Sequence, residues 1–436
     1  MNLKEYIQKI EDGESIKKYY DLYKQKALND PYNAFIRLHD FDINEDKLKN
    51  TILKAVIIKD SFLTDYISSA GSKMLENYKS CYSSTVYKNL SENIMLKTNM
   101  DEFAMSSTET SYFPTKNPVD ISKVPSSGSA AAVADLCLAA LTDTGSIRQP
   151  ASLCVVFKPT YGTNSRYGII AMASSLDQAT FTKNVEDAVI LSKVIAGYDE
   201  NDATSIKRDD FYTWDKAIEK NDIKMKIALV KEFFSLQKSV KDSIMDAVEL
   251  AEKIAKIEEV SMPLLKYALE VYYIIMPAEV STNLARFDGI KYGYGKNTFD
   301  FSSIEEYYSK IRNEGFQEVK RRILLTYVLS AAYEKYYKAQ KVRKLIKNQF
   351  DSIFKNYDLI IPTSPTTAWD LEKTDDPLQM YLADIYTVPV NLILPAMSLP
   401  VKKAQDTKLP IGLHIISDQF REDKIFQFAN VLEKYI

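Results

Sequence analysis

Between Thr85 and Ile195 short apolar runs alternate with stretches of helical spacing, and no other feature restricts the fold of this 436-residue chain as strongly. NIMLKTN and CVVFKPTYG read as strands, whereas Ser129 to Leu141 and VEDAVILSKVIAG read as helices. The second of those helices has Asn184 or Thr182 as its cap and Gly197 as its stop. Strands separated by helices predict an α/β fold whose sheet is at least partly parallel. Upstream, residues 1–50 read as helices broken at DPYNAF, and Ala55 to Ile58 as a short buried strand that ends at Lys59-Asp60. Downstream, about 200–345 is richer in helix and charge, with IKMKIALV a strand and KDSIMDAVELAEKIAKI an amphipathic helix. DLIIPTSPTTAW, TVPVNLILPAMSLPV and IGLHIIS return to the sheet. With neither linker nor repeat, residues 1–436 are expected to form one domain with a helical start (about 1–50) and a helical insertion (about 200–345).

A formal charge of −3 argues against unaided binding to a polyanion, though not against a complex in which another protein holds nucleic acid. No apolar run reaches the roughly 18 residues of a membrane span. The start, MNLKEYIQKIEDGESIKKYY, lacks the apolar centre of a signal peptide, so a cytoplasmic setting with no membrane contact is expected. Cys81, Cys137 and Cys154 are too few and too widely spaced for a disulfide frame and read as reduced, mostly buried thiols.

The chain has only two histidines, His39 and His414. Each reads as a packed or hydrogen-bonded side chain, and neither has a neighbour at zinc-ligand spacing, so no metal site is expected. A Ser-His-Asp triad is therefore poorly supplied. Yet VPSSGSAAAVADLCLAALTDTGSIRQP, from Val124 to Pro150, places Ser146 just after Thr-Gly, where backbone N–H groups can converge on an oxyanion. If a serine attacks here, its base is a lysine. Lys59 is one candidate, since at the end of a core strand its ammonium needs a partner. A surface lysine at a strand end is the other reading.

The chain resembles the amidase signature family, in its tRNA-linked branch. The resemblance runs through IIKD at Lys59, KTNMDEFAMSSTE, PTKNP, the double serine, DTGSIRQPA, FKPTYG, SRYGIIAMASSLDQ and VEDAVIL. It continues through NLARFDGIKYGYG, EVKRRILLTYVLSAAYEKYYKAQKVR, IPTSPTTAW, YTVPVNL, LPAMSLPV and PIGLHIIS. It implies an amidase-signature fold: a mixed, largely parallel central sheet covered by helices on both faces. It also implies a Ser-cisSer-Lys triad, with Ser146 as nucleophile, Ser126 as the bridging serine and Lys59 as base. Backbone N–H groups around Asp143, Thr144, Gly145 and Ser146 would hold the oxyanion. Arg322 would bind the α-carboxylate of glutamine, Asp384 its α-amino group, and Tyr272 would contact the substrate. Ser127 and Ser129 read as hydrogen-bonders of the loop, and Arg148 as an anchor of the turn.

The branch implies a glutaminase subunit that needs no cofactor of its own. Its B subunit would carry the ATP and Mg site and use the ammonia on a misacylated tRNA, Glu-tRNA(Gln) or Asp-tRNA(Asn), with a small C subunit holding the pair. A stand-alone amidase acting on small amides is the alternative. The chain also departs from the pattern in one residue type. It holds 12 glycines, about 3%, against about 7% in average proteins. The family's Gly-Gly-Ser-Ser-Gly-Gly-Ser is here Ser126-Ser127-Gly128-Ser129, and its Asp-Thr-Gly-Gly-Ser is Asp143-Thr144-Gly145-Ser146. Single glycines are also missing between Met105 and Ser106, Leu141 and Thr142, and Val156 and Phe157, with neighbours intact. The hypothesis that fits is loss of one class of glycine codon, as when UGA encodes glycine; the codons at these points, or the mass of the native protein, decide it. A chain that truly lacks these glycines is expected to be a catalytically impaired structural subunit, because its oxyanion donors are displaced.

Overall fold

The computed structural model describes residues 1–38, 56–90, 96–105, 112–125, 127–142, 153–175, 177–234, 238–292, 294, 300–313, 315, 319–321, 323–324, 333–361, 367–368, 370–371 and 394–436. Eleven strands form one sheet in the order β1-β3-β2-β4-β6-β5-β10-β11-β9-β7-β8. The strands are β1 (Phe35–Leu38), β2 (Val56–Lys59), β3 (Leu96–Thr98), β4 (Ala139–Thr142), β5 (Val155–Lys158), β6 (Ala179–Thr182), β7 (Lys226–Val230), β8 (Lys256–Val260), β9 (Leu359–Ile361), β10 (Ala396–Lys403) and β11 (Pro410–Ser417). The sheet is mixed, as expected, but it is not largely parallel. Six neighbouring pairs are antiparallel. The four parallel pairs stand in two groups, β3-β2-β4 and β9-β7-β8.

Two further expectations give way. FIRL is the edge strand β1 rather than helix, and the described helices before it are α1 (Leu3–Glu11) and α2 (Ile16–Leu28). The helix expected from Ser129 to Leu141 is a short one, α3 (Gly128–Ala131), widening through Leu136, after which Ala139–Thr142 is strand. That run is apolar on every side, so periodicity could not separate helix from strand. It is strand because both its faces are buried between β2 and β6. β6, ATFT, alternates apolar and polar residues over only four positions and is buried on both faces, too short a pattern to single it out in the sequence.

Helices cover both faces. On one, α4 (Val185–Ile195), α5 (Lys238–Glu252) and α8 (Glu422–Glu433) pack on Val155, Phe157, Leu413 and Ile415. On the other, α3 and α7 (Tyr333–Phe354) lie over Ile57, Ile360 and Ile416, with Phe350 fully buried. α6 (Ala268–Leu284) bridges from this core to a second one around Leu63, Met74 and Phe103. α4 starts as expected: the Asn184 side chain accepts from Asp187 N, and Gly197 follows its end at φ 155°.

Candidate active site

Lys59 closes β2, a strand whose β-branched Val56-Ile57-Ile58 run suits burial on both faces between parallel neighbours. Register sets Lys59 beside Thr98 of β3, and one step beyond the Ile58–Leu141 pair it stands beside Thr142 of β4. Paired positions share a face, so Thr98, Lys59 and Thr142 form a row across the carboxyl ends of three parallel strands. They are 0, 3 and 2% exposed. Such carboxyl ends are where open α/β sheets hold their ligands. Lys59 is thus a core residue, and its surface reading is excluded.

Two chain segments meet this row. From Thr142 the chain runs directly into Asp143, Thr144, Gly145 and Ser146. From the other side, α3 sits on the same sheet face: Ser129 Oγ lies 2.9 Å from Thr98 Oγ1. Gly128 presses so close to the end of β3 that a Cβ there would stand 2.3 Å from Asn99 O and 2.7 Å from Ala34 O. Ser127 caps the helix, its Oγ accepting from Ala130 N at 3.2 Å. Asn99 in turn donates to Asn33 O, Phe113 O and Thr115 Oγ1, which fixes the surface on which Gly128 rests.

The opposite face holds a buried polar network behind Lys59. The Asp60 carboxylate accepts from Ser69 N at 3.0 Å and from Ser69 Oγ, and so sets the turn after the strand. Lys97, paired with Ile58, turns the other way from Lys59; its Nζ donates to Phe62 O and Ile67 O at 3.0 Å and to Ser68 Oγ, 3.9 Å from Asp60. Burial lowers the Lys97 ammonium to about 8, against the pull of Asp60. Beyond β4, Ala179 of β6 faces Thr142, and the residues before it are Asp177 and Gln178. Asp177 forms a buried ion pair with Lys158 at 2.9 Å, and desolvation pushes its carboxyl up.

Of the residues singled out from sequence, Lys59 and Tyr272 are described. Tyr272 lies on α6, edge-on to Tyr273 at 5.2 Å, at the seam between the two cores. Ser126, Asp143, Thr144, Gly145, Ser146, Arg322 and Asp384 lie outside the described residues, as does His39. What the fold brings together at Lys59 is the flanks of both serine segments: Thr142 on one side, Ser127 to Ser129 on the other. Sequence reasoning missed Thr98 and Lys97 as parts of this centre. The available signal was a lysine and a threonine inside an otherwise apolar strand. His414 is fully buried on β11 and, among the described residues, has no hydrogen-bond partner at either ring nitrogen. Among the described residues no group of three or more His, Cys, Asp or Glu is placed to hold a metal, and no helix is long and apolar enough to cross a membrane.

A buried lysine at the carboxyl ends of parallel strands, beside the flanks of two serine-bearing segments, is compared naturally with amide-cleaving enzymes. The amidase family model matches residues 4–426. The chain belongs to the amidase family. Among amidase-family relatives, the A subunit of the glutamyl-tRNA(Gln) amidotransferase of Halothermothrix orenii is 50% identical over 404 residues, covering 86% of this chain and 83% of the relative. Its counterpart in Caldanaerobacter subterraneus is 46% identical over 473 residues, covering 99% of this chain and 95% of the relative. The crystal structure of the Thermotoga maritima counterpart superposes with a TM-score of 0.80 at 36% identity, covering 100% of this chain and 94% of the other. The 473 aligned positions exceed the 436 residues of this chain, so at least 37 of them face a gap in it.

Proposed function

We propose that the chain is the glutaminase subunit of a tRNA-dependent amidotransferase. The observation that carries the reading is the row Thr98–Lys59–Thr142, buried where the chain enters Asp143–Ser146 and where α3 follows Ser126. Ser146 Oγ attacks the side-chain amide carbon of glutamine. Its proton passes through Ser126 to the side-chain amine of Lys59, which acts as the base. Backbone N–H groups around Asp143 to Ser146 stabilise the oxyanion, the step at which one lost donor costs about 2.7–4 kcal/mol. The proton returns to the leaving nitrogen, ammonia departs, and water releases glutamate from the acyl-enzyme. Arg322 grips the α-carboxylate with two parallel donors, Asp384 pairs with the α-amino group, and Tyr272 borders the substrate.

The ammonia goes to a B subunit that holds ATP and Mg and amidates Glu-tRNA(Gln) or Asp-tRNA(Asn), and a C subunit clasps the two. This agrees with a chain too acidic to bind tRNA unaided. Three free thiols, two of them buried, suit the cytoplasm. The test is glutamine hydrolysis by the chain co-expressed with its B and C partners. Ser146→Ala and Lys59→Ala are each expected to reduce kcat by about 10⁴-fold. Undiminished hydrolysis by either variant would remove the proposed chemistry.

A specific observation favours a second reading. The chain is shorter than its alignment with the Caldanaerobacter relative and holds 12 glycines, in keeping with the glycines that the family pattern has and this chain lacks at Ser126–Ser129 and Asp143–Ser146. If the native protein lacks those glycines too, it is a structural subunit with impaired glutaminase activity. The 436-residue chain and a chain with the family's glycines restored are to be assayed side by side. Activity confined to the restored form supports loss of a glycine codon class, whereas equal activity in both shows that the short loops suffice.

A further inference from the structure

The Thr98–Ser129 hydrogen bond is an odd use of two fully buried residues. Thr98 Oγ1 and Ser129 Oγ lie 2.9 Å apart, both 0% exposed. A buried hydroxyl pair contributes about 1 kcal/mol net, and valine opposite alanine would fill the same space at no loss. Stability therefore gives no reason for hydroxyls here. Direction does: a hydrogen bond fixes angle and distance where apolar packing fixes only volume.

The bond also stands at a particular place. Thr98 is the register partner of Lys59, and Ser129 lies on the first turn after Ser126. Only Ser127 and Gly128 lie between Ser126 and Ser129, and the three steps from one serine to the other span about 10 Å at most when fully extended. Gly128 is seated against Asn99 and Ala34 with no room for a Cβ. The seat of Ser129 therefore bounds where Ser126 can stand.

We propose that Thr98 and Ser129 are positioning residues for amide hydrolysis, locking the serine segment to the strand beside Lys59 so that the proton relay keeps its length. This rests on the reading of Ser146, Ser126 and Lys59 as the relay. A misplacement of about 1 Å can cost about 100-fold in rate, so the effect is expected in kcat and not in glutamine binding.

The test compares Thr98→Val, Ser129→Ala, the double variant and Thr98→Ser in the full chain with its partner subunits. Thr98→Val and the double variant should lose about 10- to 100-fold in kcat with KM for glutamine unchanged. Thr98→Ser, which keeps the hydroxyl, should recover most of the rate. The double variant leaves no hydroxyl unpaired and should melt within a few degrees of the parent. Lys59→Ala is run alongside: an active Lys59→Ala sinks the relay itself, whereas an inactive Lys59→Ala with a fully active double variant sinks only the positioning role. Amide hydrogen exchange supplies a readout independent of turnover. Exchange across Ser127–Ala131 should quicken at least tenfold in the double variant, and unchanged exchange there would overturn the proposal.

Discussion

Of the buried bases described in this sheet, Lys158 has its carboxylate partner, and the other three are treated in three further ways. Lys97 keeps its proton company with two carbonyls, a serine and Asp60. Lys59 stands on the opposite face, beside two threonines. His414 is sealed between strands, and burial alone drives its imidazole down to about 3. An imidazole that resists protonation in the folded state leaves the unfolded chain to take up the proton first. His414 therefore contributes stability that is complete above pH 6.5 and drains away as pH falls toward 3. The slope from this one group is at most about 1.4 kcal/mol per pH unit. His414→Leu, which keeps the bulk and cannot titrate, should flatten the fall in urea midpoint between about pH 6.5 and 4.5. An identical pH dependence in parent and variant would assign the acid sensitivity to other groups.

Among the elements, α1 shows a complete accounting of its first turn. Asn2 and Glu5 cap one another, while Leu3 N and Lys4 N donate to the carboxylate of Asp187 on α4, at 2.8 and 3.0 Å. A single side chain from the core thus closes the amino end of a helix 184 residues away. Asp187→Ala strands two donors and should cost about 1–2 kcal/mol, with α1 the first segment cut in limited proteolysis. Proteolysis beginning elsewhere at an unchanged rate would count against that role. The same elements show what the sequence could and could not reveal. β2, β5, β7 and β11 were legible because β-branched or alternating runs leave few other solutions. α4 was legible from its cap and its glycine stop. β4 and β6 were not, since four-residue strands buried on both faces are too short for a period to be read. Lys59 was legible as a candidate base because so few histidines compete with it. The pairing of Thr98 with Ser129 was not, because it depends on strand register between segments 31 residues apart.

At the scale of the molecule, backbone strain coincides with one point where the family pattern has a glycine that this chain lacks. Phe103 and Ala104 sit at φ 50° and 58°, immediately before the point between Met105 and Ser106 where the family pattern has a glycine. The left-handed region costs a side-chain-bearing residue about 1–2 kcal/mol. A glycine inserted after Met105 should relieve that strain and raise the melting temperature by several degrees; no gain would mean the turn is already relaxed. Inside strands the expectation differs. β5 runs unbroken through Val156 and Phe157, and Phe157 packs on Trp214 and Phe426, so the sheet accommodates this strand without a glycine. A glycine added there must be absorbed as a bulge, or every later side chain changes face. Assembly order follows from the place of the β10–β11 hairpin. It joins β5 on one side to β9 on the other, so without it the strands divide into a six-member ribbon and a three-member one. A ribosome making this protein must therefore release the chain through Ser417 before the two ribbons can be zipped together. Until then each presents a bare hydrogen-bonding margin to its surroundings, which makes the final hairpin a guard against aggregation during synthesis.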